Sequence, residues 1–329
     1  MSMLFSPVTI GGVSFRNRVV MPPMVTGLGD GEGHVTEAIR EHYGLRARAG
    51  TGLVIVEATA VAEQGRCWAN GLGAWSDAHV SGLRGLAEVI HAGGALAGIQ
   101  LVHGGPQASP AVSGGETVGP SAVRPSEKHP VPRALTLLEI QEVQRRFAEA
   151  AARVVAAGFD VVEAHGAHGY LLDSFLSARR NTRTDGFGGS SAGRARMVVE
   201  TCRGIRARIG TAALVECRIG VFNKLAEGFG PEDLRSLVAG LADAGLDLLH
   251  ISTDGAFKGC FDSPKPVSRW IREMAALPLI VAGGLGHPAD AERAVAEGLA
   301  DLAAVGRAQL EDPQWARRAE AALSGEGTP

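Results

Sequence analysis

His165 and His168 stand three residues apart in the run His165-Gly166-Ala167-His168-Gly169-Tyr170, and the phenol of Tyr170 follows two residues later. Two imidazoles and a phenol gathered at one point can donate hydrogen bonds, pass protons or ligate a metal. The run supplies two strong metal ligands, short of the three or four that a zinc site takes, so no metal is expected. Taken singly, a histidine ending an apolar strand is more often a packed core residue, and Tyr170 would be a wedge beneath a loop. The cluster reads as functional because it closes an apolar segment, residues 159–163, and opens a long connection that runs to residue 190. Long connections in a compact domain usually carry function.

Segments of the same kind recur along the chain. Residues 18–21, 53–57, 96–101, 159–163, 213–218, 246–251, 278–282 and 301–305 are short, apolar and rich in β-branched side chains, with helical stretches between them. That alternation predicts an α/β fold with parallel strands, and eight strands predict a closed (β/α)8 barrel rather than an open sheet. Thr136 and Glu139 have capping-box spacing, and Pro231, Pro288 and Pro313 are placed for a first helical turn. Gly158, Gly245 and Gly298 follow Ala-rich stretches and lead into strands, as glycines at helix C-termini do. Two connections, residues 103–135 after the third strand and 165–190 after the fourth, leave the C-terminal ends of strands, where barrels build active sites. No low-complexity tract divides the chain, so one domain over residues 1–329 is expected.

Of the 329 residues 45% are hydrophobic, and 32 basic side chains face 35 acidic ones for a net charge of −3. Such a chain can bury a core, which excludes disorder. The balanced charge gives no bulk attraction for nucleic acid or a membrane surface. Cys67, Cys202, Cys217 and Cys260 lie far apart with no C-x-x-C pair, so neither a disulfide framework nor a zinc or iron–sulfur site is expected. With no leader pattern and no apolar run of roughly 18 residues, a cytoplasmic protein is the expectation. The absence of G-x-G-x-x-G after a strand, of the Gly-Lys of a Walker A loop and of H-E-x-x-H argues against a Rossmann dehydrogenase, a P-loop NTPase and a zincin.

The run from His165 to Leu172, continued by residues 181–190 (Asn-Thr-Arg-Thr-Asp-Gly-Phe-Gly-Gly-Ser), resembles the signature of the Old Yellow Enzyme family, the FMN-dependent ene-reductases. The likeness starts at Leu4-Phe5-Ser6-Pro7 and Asn17-Arg18-Val19-Val20-Met21-Pro22-Pro23-Met24. It continues through Val56-Glu57-Ala58, the stretch from Gly98 to His103, and Arg218, and ends at Val305-Gly306-Arg307 before Asp312-Pro313. The resemblance implies an FMN-loaded barrel that takes hydride from NADPH or NADH and reduces the C=C bond of α,β-unsaturated carbonyl compounds in two half-reactions. It implies that His165 and His168 donate hydrogen bonds to the substrate carbonyl and that Tyr170 delivers the proton to the α-carbon. Gln100 and Arg218 would bond the pyrimidine end of the flavin, while Pro22, Pro23, Met24, Val25 and Ala58 run beside its ring. Gly283 and Gly284 after the seventh strand, with Gly306 and Arg307 after the eighth, would hold the phosphate, because barrels commonly place phosphate there. The plainer readings are turn-forming glycines and an internal salt bridge from Arg218 to Glu57 or Glu163.

Partners expected are a small enone-type molecule and a homo-oligomeric copy, with no nucleic acid and no membrane. Two departures stand out: Val25 where the nearest branch often has Cys, and Gly27 where it has an aromatic hydroxyl, which predict an altered flavin potential and a roomier pocket. The C-terminus, Leu323 to Pro329, lacks the arginine and aromatic segment that some relatives insert into a neighbour's site. Rival readings are another redox role on this scaffold, as in dienoyl-CoA reductases or amine dehydrogenases, a non-catalytic flavin binder, and a non-redox phosphate-binding barrel. Against a Schiff-base aldolase, none of the four lysines, Lys128, Lys224, Lys258 and Lys265, falls in a predicted strand.

Overall fold

Each of the eight apolar segments is a strand in the computed structural model, which describes residues 2–221 and 224–325. In chain order the strands are β1 Val19–Met21, β2 Leu53–Ala60, β3 Leu96–Val102, β4 Val161–Gly166, β5 Leu214–Gly220, β6 Leu248–Ser252, β7 Leu279–Ala282 and β8 Leu302–Ala304. Every strand pairs in parallel with the next, and β8 closes on β1 through Ala303 beside Val19 and Ala304 beside Val20. A helix follows each strand: α1 Glu37–Arg48, α2 Val80–Ala92, α3 Leu137–Ala156, α4 Ser191–Ile209, α5 Pro231–Asp243, α6 Val267–Met274, α7 Pro288–Ala296 and α8 Trp315–Ser324. This is a (β/α)8 barrel.

Local signals set the helix ends. Thr136 accepts from the Glu139 N–H while the Glu139 carboxylate accepts from the Thr136 N–H at 2.8 Å, a closed capping box on α3. Pro231 and Pro288 occupy the first turns of α5 and α7. Pro313 does not: α8 begins at Trp315, and Pro313 sits in the turn before it. The spacing G-x-S-x-G occurs once, at residues 189–193, but there its central serine, Ser191, is the first residue of α4, directly behind the N-cap Ser190. It follows a loop instead of a strand, so it is no nucleophile elbow. Residues 326–329, on which the reading of the C-terminal segment partly rests, lie outside the described residues.

Strand alternation divides the core in two. Val54, Val56, Val162, Val215 and Leu249 pack outward with the helices. Val20, Leu53, Val161, Leu214, Leu248, Ile280 and Leu302 fill the barrel's N-terminal end, and Ile10 and Phe15 of the hairpin formed by Val8–Ile10 and Val13–Phe15 pack with them. Higher in the barrel the inward positions become polar: Gln100, Glu163, Glu216 and His250, then His165, Arg218 and Ser252, all buried. An apolar floor below polar groups that face the C-terminal mouth is the layout that positions a site.

Candidate active site

At that mouth the ends of β1, β5, β6, β7 and β8 surround a cleft of ≈ 240 Å³ lined by Pro22, Met24, Arg218, Gly283, Gly284, Gly306 and Arg307, with Ser252 and Thr253 among them. Gly283 has φ 151°, and a Cβ there would stand 2.3 Å from the Thr253 carbonyl oxygen. Gly284 is left-handed at φ 69°. A Cβ on Gly306 would crowd the Met24 sulfur at 3.2 Å. Only glycine fits where these backbones meet Thr253 and Met24, so bare backbone lines the cleft with the exposed Arg307 guanidinium at its rim, a cradle suited to phosphate. Gly283→Ala is expected to weaken FMN binding by about tenfold or more, given strain of about 1–3 kcal/mol at such a position; a fluorescence titration showing unchanged affinity would refute this.

Arg218 is 8% exposed. Its Nη1 donates to the Pro23 carbonyl at 3.4 Å and its Nη2 to Ser252 Oγ at 3.3 Å, while Nε is buried with no partner among the described residues. Burial lowers its pKa, and the nearby Glu163 and Glu216 act the other way. The internal salt bridge considered for Arg218 does not form. Glu57 instead accepts from Thr26 N at 3.0 Å, Thr26 Oγ1 at 2.5 Å and Tyr43 OH at 3.2 Å, and so anchors the loop after β1. Glu163 is committed to Gln100 and His250. A buried guanidinium with unspent donors is costly until an acceptor meets it.

His165 ends the inward row of β4, and His168 sits in the turn beyond it at φ 62°, a conformation uncommon for a side-chain-bearing residue. Neighbours hold that turn from both sides. Gln107 Nε2 donates to the His168 carbonyl at 2.8 Å, and the Gly169 N–H donates to Asp173 Oδ2 at 2.7 Å. The His165 and His168 rings lie 5.1 Å apart, with Nε2 of the first 3.4 Å from Nδ1 of the second. His168 Nε2 is 3.2 Å from Ser252 Oγ. Tyr170 is half-buried, its ring 5.1 Å from that of His165 and 5.8 Å from that of Trp68. The three residues singled out in the sequence thus share one corner of the mouth.

The surroundings fix their protonation. Burial first, then His168 and Arg218, hold the His165 imidazole well below its ordinary value. Burial and then Arg218 bring His168 down to about 4, and burial, with Cys67 beside it, pushes the Tyr170 phenol up to about 12. At neutral pH both imidazoles are uncharged and the phenol keeps its proton.

Other predicted residues lie elsewhere. Ala58 lines a separate crevice of ≈ 10 Å³ with Cys67 and Trp68, Val25 is 38% exposed, and Gln100 lies one layer below the mouth. Sequence reading missed Ser252, which touches both His168 and Arg218, and Thr253, which walls the glycine cradle. The available signal for Ser252 was Leu248-x-His250-x-Ser252, the same apolar-to-polar alternation that marks Leu214-x-Glu216-x-Arg218.

A glycine cradle for phosphate, a buried guanidinium awaiting an acceptor and a histidine pair at the mouth fit a flavin nucleotide: they define a cofactor-dependent redox barrel. The family model described as the NADH:flavin oxidoreductase / NADH oxidase family matches residues 3–326. The chain belongs to that family, the Old Yellow Enzyme family, whose cofactor is FMN and whose reductant is NADH or NADPH. It is 38% identical to an NADPH dehydrogenase of Geobacillus sp. (strain WCH70), covering 95% of this chain and 92% of that protein. It is 36% identical to the NADH oxidase of Thermoanaerobacter brockii over 96% of this chain, but spans only 50% of that protein's length. Among solved structures, the Old Yellow Enzyme homologue from Zymomonas mobilis superposes with a TM-score of 0.87 at 29% identity, covering 99% and 94% of the two chains. Morphinone reductase gives 0.88 at 28% identity, covering 98% and 90%. Among the described residues no helix is long and apolar enough to cross a membrane.

Proposed function

We propose that the protein is an ene-reductase, acting on the C=C bond of small α,β-unsaturated carbonyl compounds. The observation that carries this reading is the grouping of His165, His168 and Tyr170 at one corner of the mouth, with both imidazoles neutral and the phenol protonated. Bound FMN supplies reversible hydride carriage between NAD(P)H and an acceptor. Arg218 and Gln100 would hold its pyrimidine end, Gly283, Gly284, Gly306 and Arg307 its phosphate, and Pro22, Pro23 and Met24 would border its ring, with Val25 and Ala58, which lie outside the cleft, reaching it only from its margin.

His165 offers Nδ1, buried and without a partner among the described residues, to the substrate carbonyl, and His168 adds a second contact. These bonds draw electron density from the conjugated system and stabilise the enolate-like charge that develops. Tyr170 then protonates the α-carbon, a role for which a neutral phenol is suited. Because the imidazoles act uncharged, the rate of acceptor reduction is expected to stay level from about pH 6 to 9, with no inflection near the usual histidine value of about 6.5. Stopped-flow rates falling as the pH rises through that value would show that an imidazolium is needed. A cytoplasmic, single-domain protein able to assemble with copies of itself completes the reading.

Anaerobic mixing with NADPH and then cyclohexenone tests the function. Bleaching of the yellow colour followed by its recovery supports ene-reduction. Bleaching reversed by oxygen but not by the enone would leave an NAD(P)H oxidase and reject the enone as acceptor.

A further inference from the structure

Below the mouth, four inward side chains on adjacent strands form a closed polar layer. Register sets Gln100 of β3 beside Glu163 of β4, and Glu163 beside Glu216 of β5. His250 of β6 completes the row, and exposure is 2% for Gln100 and 0% for the other three. Gln100 Nε2 donates to Glu163 Oε1 at 2.6 Å, and His250 Nδ1 stands 2.5 Å from Glu163 Oε2 and 3.1 Å from Glu216 Oε1. On β4, β5 and β6 the residues two further on are His165, Arg218 and Ser252, so the layer lies directly under the pocket groups.

We propose that Glu163 is a positioning residue for the cofactor: by accepting the Gln100 amide N–H it locks that carboxamide with its carbonyl directed to the pocket, where the carbonyl accepts the flavin's N3–H. The inference rests on the reading of Gln100 as a pyrimidine-end ligand and adds what orients it. An amide can present either end, whereas a carboxylate only accepts. Facing Glu163, the –NH2 end makes a hydrogen bond, while the reversed amide would set two acceptors against each other in a dry interior. The oxygen is thereby left for a donor, and oxidised isoalloxazine has one ring N–H, at N3.

The rest of the layer keeps Glu163 an acceptor. Burial alone would raise its pKa, but His250, Glu216 and Arg218 hold it down at about 2. Burial, and then the Glu163 charge, keep Glu216 well above the carboxylate range and therefore protonated, so a second carboxylate does not compete. A metal in this layer fits poorly. Two ligands of one zinc-sized ion stand roughly 3 Å apart or more, while His250 Nδ1 and Glu163 Oε2 are at hydrogen-bond contact, 2.5 Å.

The test uses the full chain loaded with ¹⁵N-labelled FMN, read by the N3–H resonance and by FMN dissociation. In Glu163→Gln the N3–H signal is expected to move upfield and FMN to bind about tenfold more weakly, the worth of one hydrogen bond. In a Gln100→Leu background the same change should cost nothing further. An unmoved N3–H resonance, or a loss that adds in full to that of Gln100→Leu, would overturn the proposal and leave Glu163 merely structural. If Glu163→Gln does not fold, Glu163→Asp, with its acceptor drawn back by one methylene, should shift the resonance the same way; no shift overturns the proposal. Failure of the unaltered chain to bind FMN would reject the flavin site itself, a result distinct from either outcome.

Discussion

Arg218→Met is expected to bind FMN at least about 100-fold more weakly than the unaltered protein, since charge-assisted hydrogen bonds are worth about 1.5–3 kcal/mol each and two would be lost. The side chain of methionine fills similar space, so the barrel mouth keeps its packing while losing every donor that now points from Arg218 into the cleft. The loss also removes a positive charge that helps hold the Glu163 pKa down, so Glu163 should titrate higher because its burial is less well compensated. Part of the penalty therefore arises beneath the pocket. Fluorescence titration of the flavin-free protein measures the affinity, and a thermal melt separates lost binding from lost fold. Arg218→Lys should recover only a part, because a point charge cannot fork as a guanidinium does. Native FMN affinity in Arg218→Met would remove Arg218 from the site.

Tyr170→Phe should slow reduction of the enone by about 10²–10⁴-fold, the usual contribution of a positioned general acid. Reduction of the enzyme by NADPH should be unchanged, because no proton from the phenol enters that half-reaction. The substitution is clean in structural terms. The Tyr170 ring packs beside His165 and Trp68, and phenylalanine keeps both ring contacts. Rapid-mixing measurements of the two half-reactions separate the roles, and equal slowing of both would mean that Tyr170 shapes the pocket instead of donating a proton.

The strand count was legible because each barrel strand is a local apolar run flanked by helix caps, and those are properties of neighbouring residues. The segment at 159–163 shows the limit of such reading. Its strand runs from Val161 to Gly166, because Asp160 spends its carboxylate on the Ala97 N–H at the strand's entrance and the ladder with β5 continues to Gly166 beside Ile219. Pro313 has the composition of a helix start, yet the chain turns once more before α8 begins at Trp315. The His165–Tyr170 run was readable as a site because its three groups are adjacent in sequence. Ser252 was not, since it reaches His168 across 84 residues and Arg218 across 34.

Periodicity in the chain was enough to establish eight strands with helices between them, since apolar runs and capping act over a few residues. It set Arg218 at the barrel mouth without saying whether Glu57 or Glu163 would pair with it. Closure of the barrel settled that. Hydrogen-bond register sets Glu163 beside Gln100 and Glu216, and His165 beside Arg218. It leaves Arg218 without an ion-pair partner among the described residues and lining the cleft. Partner choice among buried groups depends on distances across the sheet, and these exist only once the last strand has met the first.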